Sequence, residues 1–467
     1  MPTAPVTPPA TASTVVPVEP PATASTVVPV EPALGAGDPV FPDLGSSDID
    51  VASYDVALAY DPATDELSGT VSIDVELLVD TAVVPLDAID LTIVSVIADG
   101  APAGWSIDDD DLLVELPQAE AAGSHVAVEV GFEVDADERA SDTGLTVGWF
   151  DTEDGSYVLN EPDGARLWLP VSDHPSDKAT WRFEITVPER TTAVANGELV
   201  DEIRAGDSVT WVWEQRDPMT SYAILLLTGD YELVDGGVAS GVRLEHAVLR
   251  SSIDSLEAYE TVTQRQLDYF VDRFGPYPFD TYGLAITESF PGLAMETQGR
   301  SLFSAADLDG TLGYLQQLLL AHELAHQWFG NAVSPARWSD IWLNEGFATY
   351  AEWMWLDEVG LESLDSSAGR ALARQQDAPD PVGRPPVAQL FGDGVYQGGA
   401  MVVHALRREV GDDAFFEILR QWVDRYAGSS ATTDQFRAMA GEVAGRDLGP
   451  FFDAWLAASD PPDSYPT

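Results

Sequence analysis

Apolar and polar positions alternate with a period of two along the first half of the chain, from about residue 48 to residue 235. Segments such as VASYDVALAY, HVAVEVGFEV and SVTWVWEQ show the alternation, and turn-forming pairs such as Asp-Pro and Asn-Gly separate them. A period of two is typical of a strand with one buried face. The pattern therefore predicts an antiparallel all-β domain, which we place at residues 47–238.

The period becomes helical after Ser251. The segment IDSLEAYETVTQRQLDYFVDRFG repeats its apolar residues three and four positions apart, which is typical of an amphipathic helix. A strand-like segment, TYGLAITESF, follows it, and further helical segments occupy most of the remaining chain. The protein is therefore predicted to be multidomain, with an α+β domain at residues 239–460.

Residues 1–46 show neither period. They are rich in proline, threonine, alanine and valine, and PATASTVVPVEP occurs twice, at residues 9–20 and 21–32. Such a composition has no face that could pack, so we predict a disordered linker that contains a 12-residue repeat. Two interpretations stay open: a tether that holds an exported enzyme to a cell envelope, and a tail without function.

The charge balance excludes two classes of partner. The chain has 22 Lys and Arg against 79 Asp and Glu, a formal net charge of −57, and Lys178 is its only lysine. This charge repels nucleic acid and anionic membranes, and no apolar run approaches the length of a membrane span. We therefore expect no nucleic-acid partner and no transmembrane segment. Acidity suits an extracellular or envelope-associated protein; because no signal peptide is visible, a cytoplasmic location is the alternative.

One stretch of the chain carries metal chemistry. His322 and His326, in the sequence HELAH, lie four residues apart, so a helix places both imidazoles on one face, where they can bind one zinc ion. A helix is predicted here because a stripe of apolar residues runs from Leu315 to Phe329 on the same face. Gly330 is expected to end this helix.

Two glutamates complete the predicted zinc site. Glu323 lies between the histidines, where it can take a proton from a zinc-bound water. A catalytic zinc takes three protein ligands. Eighteen residues separate His326 from Glu345, which opens a second amphipathic segment and is the predicted third ligand.

The segments HELAHQWFGN and WLNEGFATYAE resemble the aminopeptidase N family of gluzincins, zinc exopeptidases with a thermolysin-like α+β catalytic domain. The resemblance implies that His322, His326 and Glu345 bind one zinc ion per chain. It also implies that Glu323 is the general base. Glu352, two helical turns after Glu345, is either an acceptor for a ligand histidine or a surface glutamate.

Two further segments extend the resemblance to substrate binding. EPDGARLWLP begins at Glu161, where the family has an acidic or amide residue that helps hold the substrate's free α-amine. PGLAMETQGR resembles the family's Gly-x-Met-Glu-Asn exopeptidase motif, which implies that Gly292, Met295 and Glu296 bind the substrate. Glu296 would pair with the protonated N-terminus while the strand backbone binds the peptide. Thr297 departs from the family, which usually has asparagine there.

The segment YQGGAMVVHALR begins at Tyr396, at the position of the family's tyrosine that donates a hydrogen bond to the oxyanion of the tetrahedral intermediate. Gly398 departs from the family, in which a basic residue often lies there. Two other histidines could be considered as metal ligands. His174 is predicted to be a structural residue between strands, and His404 a buried core histidine.

These residues predict a zinc-dependent aminopeptidase that acts on peptides with a free N-terminus. The resemblance covers about residues 48–457, and larger family members carry a further helical domain that roofs the cleft. A more open cleft makes a zinc endopeptidase the first alternative. A non-catalytic peptide-binding protein on the same scaffold is the second alternative, although Glu323 and the three ligands are all present. No pattern in the sequence predicts an oligomeric state.

Overall fold

The alternating half of the chain folds into β-sheets, and the helical half folds into an α+β domain, as predicted. The computed structural model describes residues 31–134, 138–152, 155–288, 294–377, 379–457 and 461–466. The predicted linker at residues 1–30 lies outside these ranges, so the repeat within it stays a sequence prediction.

The first half of the chain is built of strands, several of which bury alternate side chains. In chain order they are β1 (Ile49–Asp61), β2 (Glu66–Leu77), β3 (Thr81–Asp87), β4 (Thr92–Ala98), β5 (Ala101–Pro102), β6 (Trp105–Asp108), β7 (Asp111–Glu120), β8 (His125–Val134), β9 (Glu138–Ala140), β10 (Thr146–Asp151), β11 (Ser156–Leu159), β12 (Ala179–Pro188), β13 (Thr192–Ala195), β14 (Glu198–Ala205), β15 (Ser208–Met219) and β16 (Leu226–Gly229).

The largest sheet has the strand order β14-β15-β12-β1-β2-β8-β4-β5. Its neighbouring strands are antiparallel except β1 and β12, which run parallel with Val56 opposite Phe183. On β1, Val56 and Leu58 are buried whereas Ala57 between them is exposed. The sheet therefore buries one face, which is the physical origin of the period of two.

Two smaller sheets complete the first half, with the orders β13-β16-β11-β10-β9 and β3-β7-β6. The first of these carries the loop that begins at Asn160, directly after β11. This loop brings Glu161 to the boundary with the second half of the chain.

The second half combines a mixed sheet with helices. Its strands are β17 (Tyr231–Ala239), β18 (Val242–Leu249), β19 (Thr281–Tyr282), β20 (Leu284–Thr287), β21 (Ala294–Met295), β22 (Ser301–Ser304), β23 (Val333–Pro335) and β24 (Ser429–Ala431). Its helices are α1 (Leu256–Phe274), α2 (Tyr314–Ala325), α3 (Trp342–Glu358), α4 (Leu364–Asp377), α5 (Asp393–Val410), α6 (Asp412–Tyr426), α7 (Thr433–Ala444) and α8 (Gly449–Phe452).

The main sheet of the second half has the order β17-β18-β20-β22-β21. The boundary that we placed between residues 238 and 239 falls inside β17. That strand pairs with β18 of the same sheet and therefore belongs with the second half. Alternation of apolar residues continues through β17, so the sequence pattern does not show where one sheet ends and the next begins.

Residues 31–46 differ from the linker that the composition predicts. Phe41 and Leu44 are buried, and the ring of Phe41 lies 6.3 Å from that of Trp338 in an edge-on contact. Asp38 is also buried, and its carboxylate accepts a hydrogen bond from the backbone N–H of Trp338 at 2.5 Å. Asp38 and Phe41 thus both contact Trp338 in the second half, 300 positions after Asp38. The segment also contacts the first half, where the backbone N–H of Gly45 donates to the carboxylate of Asp87.

Helix α2 ends earlier than predicted. Its last residue is Ala325, and turns rather than helix continue from His326 to Gly330. Leu315, near its start, is exposed, so part of the predicted apolar stripe does not face the core. In the part of the chain that the structure describes, no helix is long and apolar enough to cross a bilayer.

Candidate active site

The two histidines of HELAH lie side by side at the C-terminal end of α2, as their spacing predicts. Both side chains are buried, and their ring centroids are 4.6 Å apart. His322 lies in the last turn of α2, and His326 follows its final residue. Both imidazoles face α3, which packs against α2.

Glu345 lies in the first turn of α3 and faces both histidines. Its Oε2 is 3.1 Å from Nε2 of His322 and 3.5 Å from Nε2 of His326. The three ligand atoms lie within 4.8 Å of one another. Two imidazole nitrogens and one carboxylate oxygen are a donor set that catalytic zinc takes. The group therefore fits zinc.

The remaining ring nitrogens of both histidines have partners. Nδ1 of His322 lies 2.5 Å from Oε1 of Glu352, and Nδ1 of His326 lies 3.0 Å from the carbonyl oxygen of Phe329. These contacts turn each Nε2 toward the common point, as in other sites where a histidine binds metal. Glu352 is 5% exposed, so the alternative of a surface glutamate is wrong.

The charges of the site favour an ionised third ligand. Burial opposes ionisation of Glu345, but the two histidines outweigh it and lower its pKa to about 2. Burial raises the pKa of Glu323 to about 8, although the same histidines act in the opposite direction. A bound dication beside Glu323 would lower that pKa again. Oε2 of Glu323 is buried and has no hydrogen-bond partner among the described residues, so it is free to contact a reactant.

Glu161 and Glu296 reach the same place from different halves of the chain. Glu161 follows β11, and Glu296 follows β21 directly. One carboxylate oxygen from each, together with one from Glu345, lies within a group whose atoms are within 4.8 Å of one another. In the described part of the chain, Oε1 of Glu161 and Oε1 of Glu296 are buried without a hydrogen-bond partner.

The carboxylates of Glu161 and Glu296 lie close enough together to favour binding of a cation. Burial and then the charge of Glu296 raise the pKa of Glu161 well above its usual range. Burial also raises the pKa of Glu296, which is 3% exposed. Two buried carboxylates without partners would be stabilised by a ligand that brings positive charge and several N–H donors.

Tyr396 lies on α5, and its ring stacks on that of His322 with centroids 5.9 Å apart. Burial and the surrounding carboxylates raise its pKa well above the usual range, so the phenol keeps its proton and is a donor. Met295 and Tyr396 line the same cavity, which has a volume of about 390 Å³. Gly292 lies outside the described residues, so its role stays a prediction.

Apolar side chains from both halves line the rest of this cavity, and most of them were missed by sequence reasoning. They are Leu145, Leu159, Ala294, Leu318, Leu319 and Phe391. Leu159 and Ala294 lie on strands, and Leu145 directly precedes β10. Leu318 and Leu319 lie on α2 and Phe391 lies in the loop before α5, so no local motif joins the six residues. Only Leu318 and Leu319 carried a signal, because they belong to the stripe that includes the histidines.

A second group that sequence reasoning missed supports the backbone of Glu296. Nδ2 of Asn331 donates to the carbonyl oxygen of Glu296 at 2.5 Å, and Nε2 of Gln327 donates to it at 3.4 Å. Thr297 stands where the family usually has asparagine. Its hydroxyl donates to the carbonyl of Arg300 and so closes a local turn. The signal for this group was the QWFGN segment after the histidines.

His174 and His404 lie outside the site, as predicted. Nδ1 of His174 contacts Ser176 at 2.7 Å, and its Nε2 lies 3.3 Å from Asp38. His404 is buried on α5, with its Nδ1 3.3 Å from the hydroxyl of Tyr350. Among the described residues, neither belongs to a group of side chains that could hold a metal.

Comparison with known proteins agrees with this geometry. Residues 51–223 match the Peptidase M1 N-terminal domain, and residues 258–455 match the Peptidase family M1 domain. The M1 zinc metallopeptidase from Deinococcus radiodurans is 30% identical, with a TM-score of 0.82, over 93% of this chain and 99% of that chain. The chain belongs to peptidase family M1. Its two halves are therefore the N-terminal β domain and the catalytic domain of that family.

Other M1 proteins are similar to this chain. A mutant of the Deinococcus radiodurans enzyme bound to a Tyr-Ser-Ala substrate is 29% identical, with a TM-score of 0.84, over 93% of this chain and 99% of that chain. Aminopeptidase M1-D from Oryza sativa subsp. japonica is 27% identical over 432 residues, which is 86% of this chain and 49% of the relative. Aminopeptidase N from Lactococcus lactis subsp. lactis is 28% identical over 401 residues, which is 79% of this chain and 46% of the relative. This M1 chain thus spans about half the length of the curated relatives it matches.

Proposed function

We propose that this chain is a zinc-dependent aminopeptidase that removes the N-terminal residue from peptides with a free α-amine. One observation carries the proposal. Glu345, whose Oε2 faces both histidines, also contributes a carboxylate oxygen to a small group of atoms with oxygens of Glu161 and Glu296. A metal site and an anionic site for an amine are therefore adjacent, which is the arrangement that cutting next to an N-terminus requires.

The residues that would hold the zinc ion are His322, His326 and Glu345. When bound, zinc supplies Lewis-acid polarisation of the scissile carbonyl and acidifies a water molecule. Glu352 and the carbonyl of Phe329 hold the two imidazoles in the tautomer that leaves each Nε2 free for the metal.

Two residues of the chain perform the proton transfer and stabilise charge. The carboxylate of Glu323 takes a proton from the attacking water and gives it to the amine that leaves. The hydroxyl of Tyr396, which stays protonated, donates a hydrogen bond to the oxygen on which negative charge develops. Glu323 is buried and Tyr396 is partly buried, so their hydrogen bonds gain strength from the low local dielectric.

Glu161 and Glu296 account for the position of the cut. A protonated α-amine between their carboxylates holds the first residue of the peptide in place. The peptide bond that follows this residue then lies beside the proposed zinc ligands. A partly desolvated, charge-assisted contact of this kind contributes about 2–4 kcal/mol, or roughly 30- to 1000-fold discrimination for a free over a blocked N-terminus. The structure of a relative with bound Tyr-Ser-Ala, a peptide, supports a peptide as the substrate class.

The test compares kcat/KM for a free aminoacyl-arylamide or peptide with that for its N-acetylated form. Glu296→Gln keeps the shape of the side chain and removes its charge, so kcat/KM for the free substrate should fall by about the discrimination factor above. Glu257→Gln, an exposed change of the same kind in the first turn of α1, is the matched control and should change nothing.

The endopeptidase alternative predicts the opposite pattern. A wild-type enzyme that cuts acetylated and free peptides equally fast would show that the two carboxylates do not act on an amine. Hydrolysis within long peptides, far from either end, would then assign the chain to endopeptidases. Absence of any hydrolysis from zinc-loaded protein would favour the non-catalytic binding protein instead.

A further inference from the structure

The only lysine of the chain lies beside the candidate active site but is not part of it. Lys178 directly precedes β12 in the N-terminal domain and is partly buried. Its Nζ donates to the carbonyl oxygen of Asn331 at 2.6 Å and lies 3.4 Å from that of Ala332. Both carbonyls belong to the turn that follows the histidine helix in the catalytic domain.

A second side chain of the N-terminal domain holds the same turn. The hydroxyl of Tyr222 donates to the carbonyl oxygen of Gly330 at 3.3 Å. Within the catalytic domain, the backbone N–H of Gly428 donates to the carbonyl of Ala332 at 2.8 Å. The three consecutive carbonyls of the turn therefore have partners from across the domain boundary or from a distant loop.

The same turn also holds the backbone of Glu296, the residue proposed to bind the substrate's α-amine. Nδ2 of Asn331 donates to the carbonyl oxygen of Glu296 at 2.5 Å, while the backbone N–H of Asn331 donates to the carbonyl of His326 at 2.9 Å. Asn331 thus connects three points: Lys178 through its carbonyl, Glu296 through its side chain, and the end of the histidine helix through its N–H.

The chemistry of a lysine suits this contact. Within the described part of the chain, the ammonium of Lys178 donates to carbonyl oxygens and to no carboxylate. A compact ammonium can serve two carbonyls that converge on one point, whereas the planar guanidinium of arginine requires separated acceptors. Burial without a paired carboxylate lowers the pKa of Lys178 to about 7, although Asp217 acts in the opposite direction. Since the chain otherwise uses arginine as its cation, the contact with the turn explains the lysine here.

We propose that Lys178 is a positioning residue for amine recognition, which acts across the domain boundary through Asn331 to fix Glu296. The proposal rests on the proposed function of Glu296 as the carboxylate that binds the substrate's α-amine. It assigns no contact between Lys178 and the substrate or the metal. Loss of Lys178 should therefore alter selectivity for a free N-terminus and leave zinc binding in place.

The test measures kcat and KM for a free aminoacyl-arylamide, kcat/KM for the matched acetylated peptide, and zinc content. Lys178→Met keeps the length of the side chain and removes its donors. We expect KM for the free substrate to rise about tenfold, because the free energy of a hydrogen bond to a charged group corresponds to roughly this factor. We also expect the ratio of free to acetylated kcat/KM to fall by a similar factor, with about one zinc per chain as in the wild type.

Two further variants make the test specific. Lys178→Arg restores the charge with a different donor geometry and should recover part of the lost selectivity. Ser430→Ala removes another hydrogen bond across the boundary, to the carbonyl of Ser176 in the segment that carries Lys178, and should leave both ratios unchanged.

A double-mutant cycle separates this proposal from the proposed function. Lys178→Met added to Glu296→Gln should cause no further loss of selectivity, because both changes act on one carboxylate. If Glu296→Gln alone has no effect on selectivity, the proposed function of Glu296 fails. The positioning role is wrong if Glu296→Gln lowers selectivity for a free N-terminus but Lys178→Met does not. It is also wrong if Lys178→Met lowers kcat/KM equally for the free and the acetylated substrate, or if it releases zinc.

Should Lys178→Met not fold, Asn331→Ala breaks the same connection on its other side. It should reproduce the selective rise in KM. Asn331→Ala with wild-type selectivity would overturn the proposal as well.

Discussion

Glu352 offers the sharpest test of how the protein orients a zinc ligand. Its Oε1 lies 2.5 Å from Nδ1 of His322, and both side chains are buried between α2 and α3. Glu352→Ala removes the acceptor and leaves the imidazole free to rotate or to change tautomer. Glu352→Gln keeps an oxygen acceptor at the same place and removes the charge.

The expected loss follows from the kind of contact. A buried hydrogen bond to a charged group contributes about 1.5–3 kcal/mol. Partners that orient a metal-binding histidine contribute roughly 10- to 100-fold to metal affinity, which is a range of similar size. We therefore expect Glu352→Ala to weaken zinc binding by roughly 10- to 100-fold, and Glu352→Gln to weaken it by less.

The assay is competition for zinc against a chelator of known affinity, followed by activity at saturating zinc. Glu358→Ala is the matched control, because Glu358 is an exposed glutamate at the end of the same helix. Activity of Glu352→Ala should return in large part when zinc is in excess. The reasoning would be refuted by an unchanged zinc affinity in Glu352→Ala, or by an equal loss in Glu358→Ala.

Three other predictions follow from charge and geometry. Tyr396→Phe should lower kcat by about 100-fold or more with little change in KM, and equal losses with acetylated and free substrates would fit this role; an unchanged kcat would contradict it. Burial raises the pKa of Asp87 and of Asp173 to about 7 from 3.8, so folded protein keeps protons that unfolded protein releases. The free energy of unfolding should therefore fall as pH rises from about 4 to 7, and Asp173→Asn should flatten that slope in urea titrations at fixed molar salt. The net charge of −57 predicts a Tm that rises with sodium chloride into the molar range, and a flat Tm would count against self-repulsion as a destabilising force.

The metal group could be predicted from the sequence because helical periodicity determines it. His322 and His326 share a face at a separation of one turn, and Glu345 begins the next helix, so three positions follow from spacing and one general rule about zinc. Glu161 and Glu296 were indicated by resemblance alone, since nothing local shows that residues 135 positions apart meet. The alternation in the first half likewise predicted strands such as β1, β8 and β12, because each of these buries one face.

What the sequence did not show depends on contacts between distant parts of the chain. Phe41 and Leu44 are buried although they lie in a segment rich in glycine and proline. Phe41 packs on Trp338, a distant contact that a local pattern cannot indicate. The parallel pairing of β1 with β12 is likewise invisible, because strand periodicity is the same in both directions. Lys178 stood out only by its rarity, and its partner Asn331 lies 153 residues away.

A comparison of Glu323→Gln with the wild type shows whether Glu323 is the base of a zinc peptidase. It measures zinc content and turnover of a free aminoacyl substrate. We expect about one zinc per chain in both proteins, because Glu323 is proposed as a base and not as a ligand. We also expect kcat in the variant to fall by at least about 100-fold. Turnover near the wild-type rate in zinc-loaded Glu323→Gln would contradict the account.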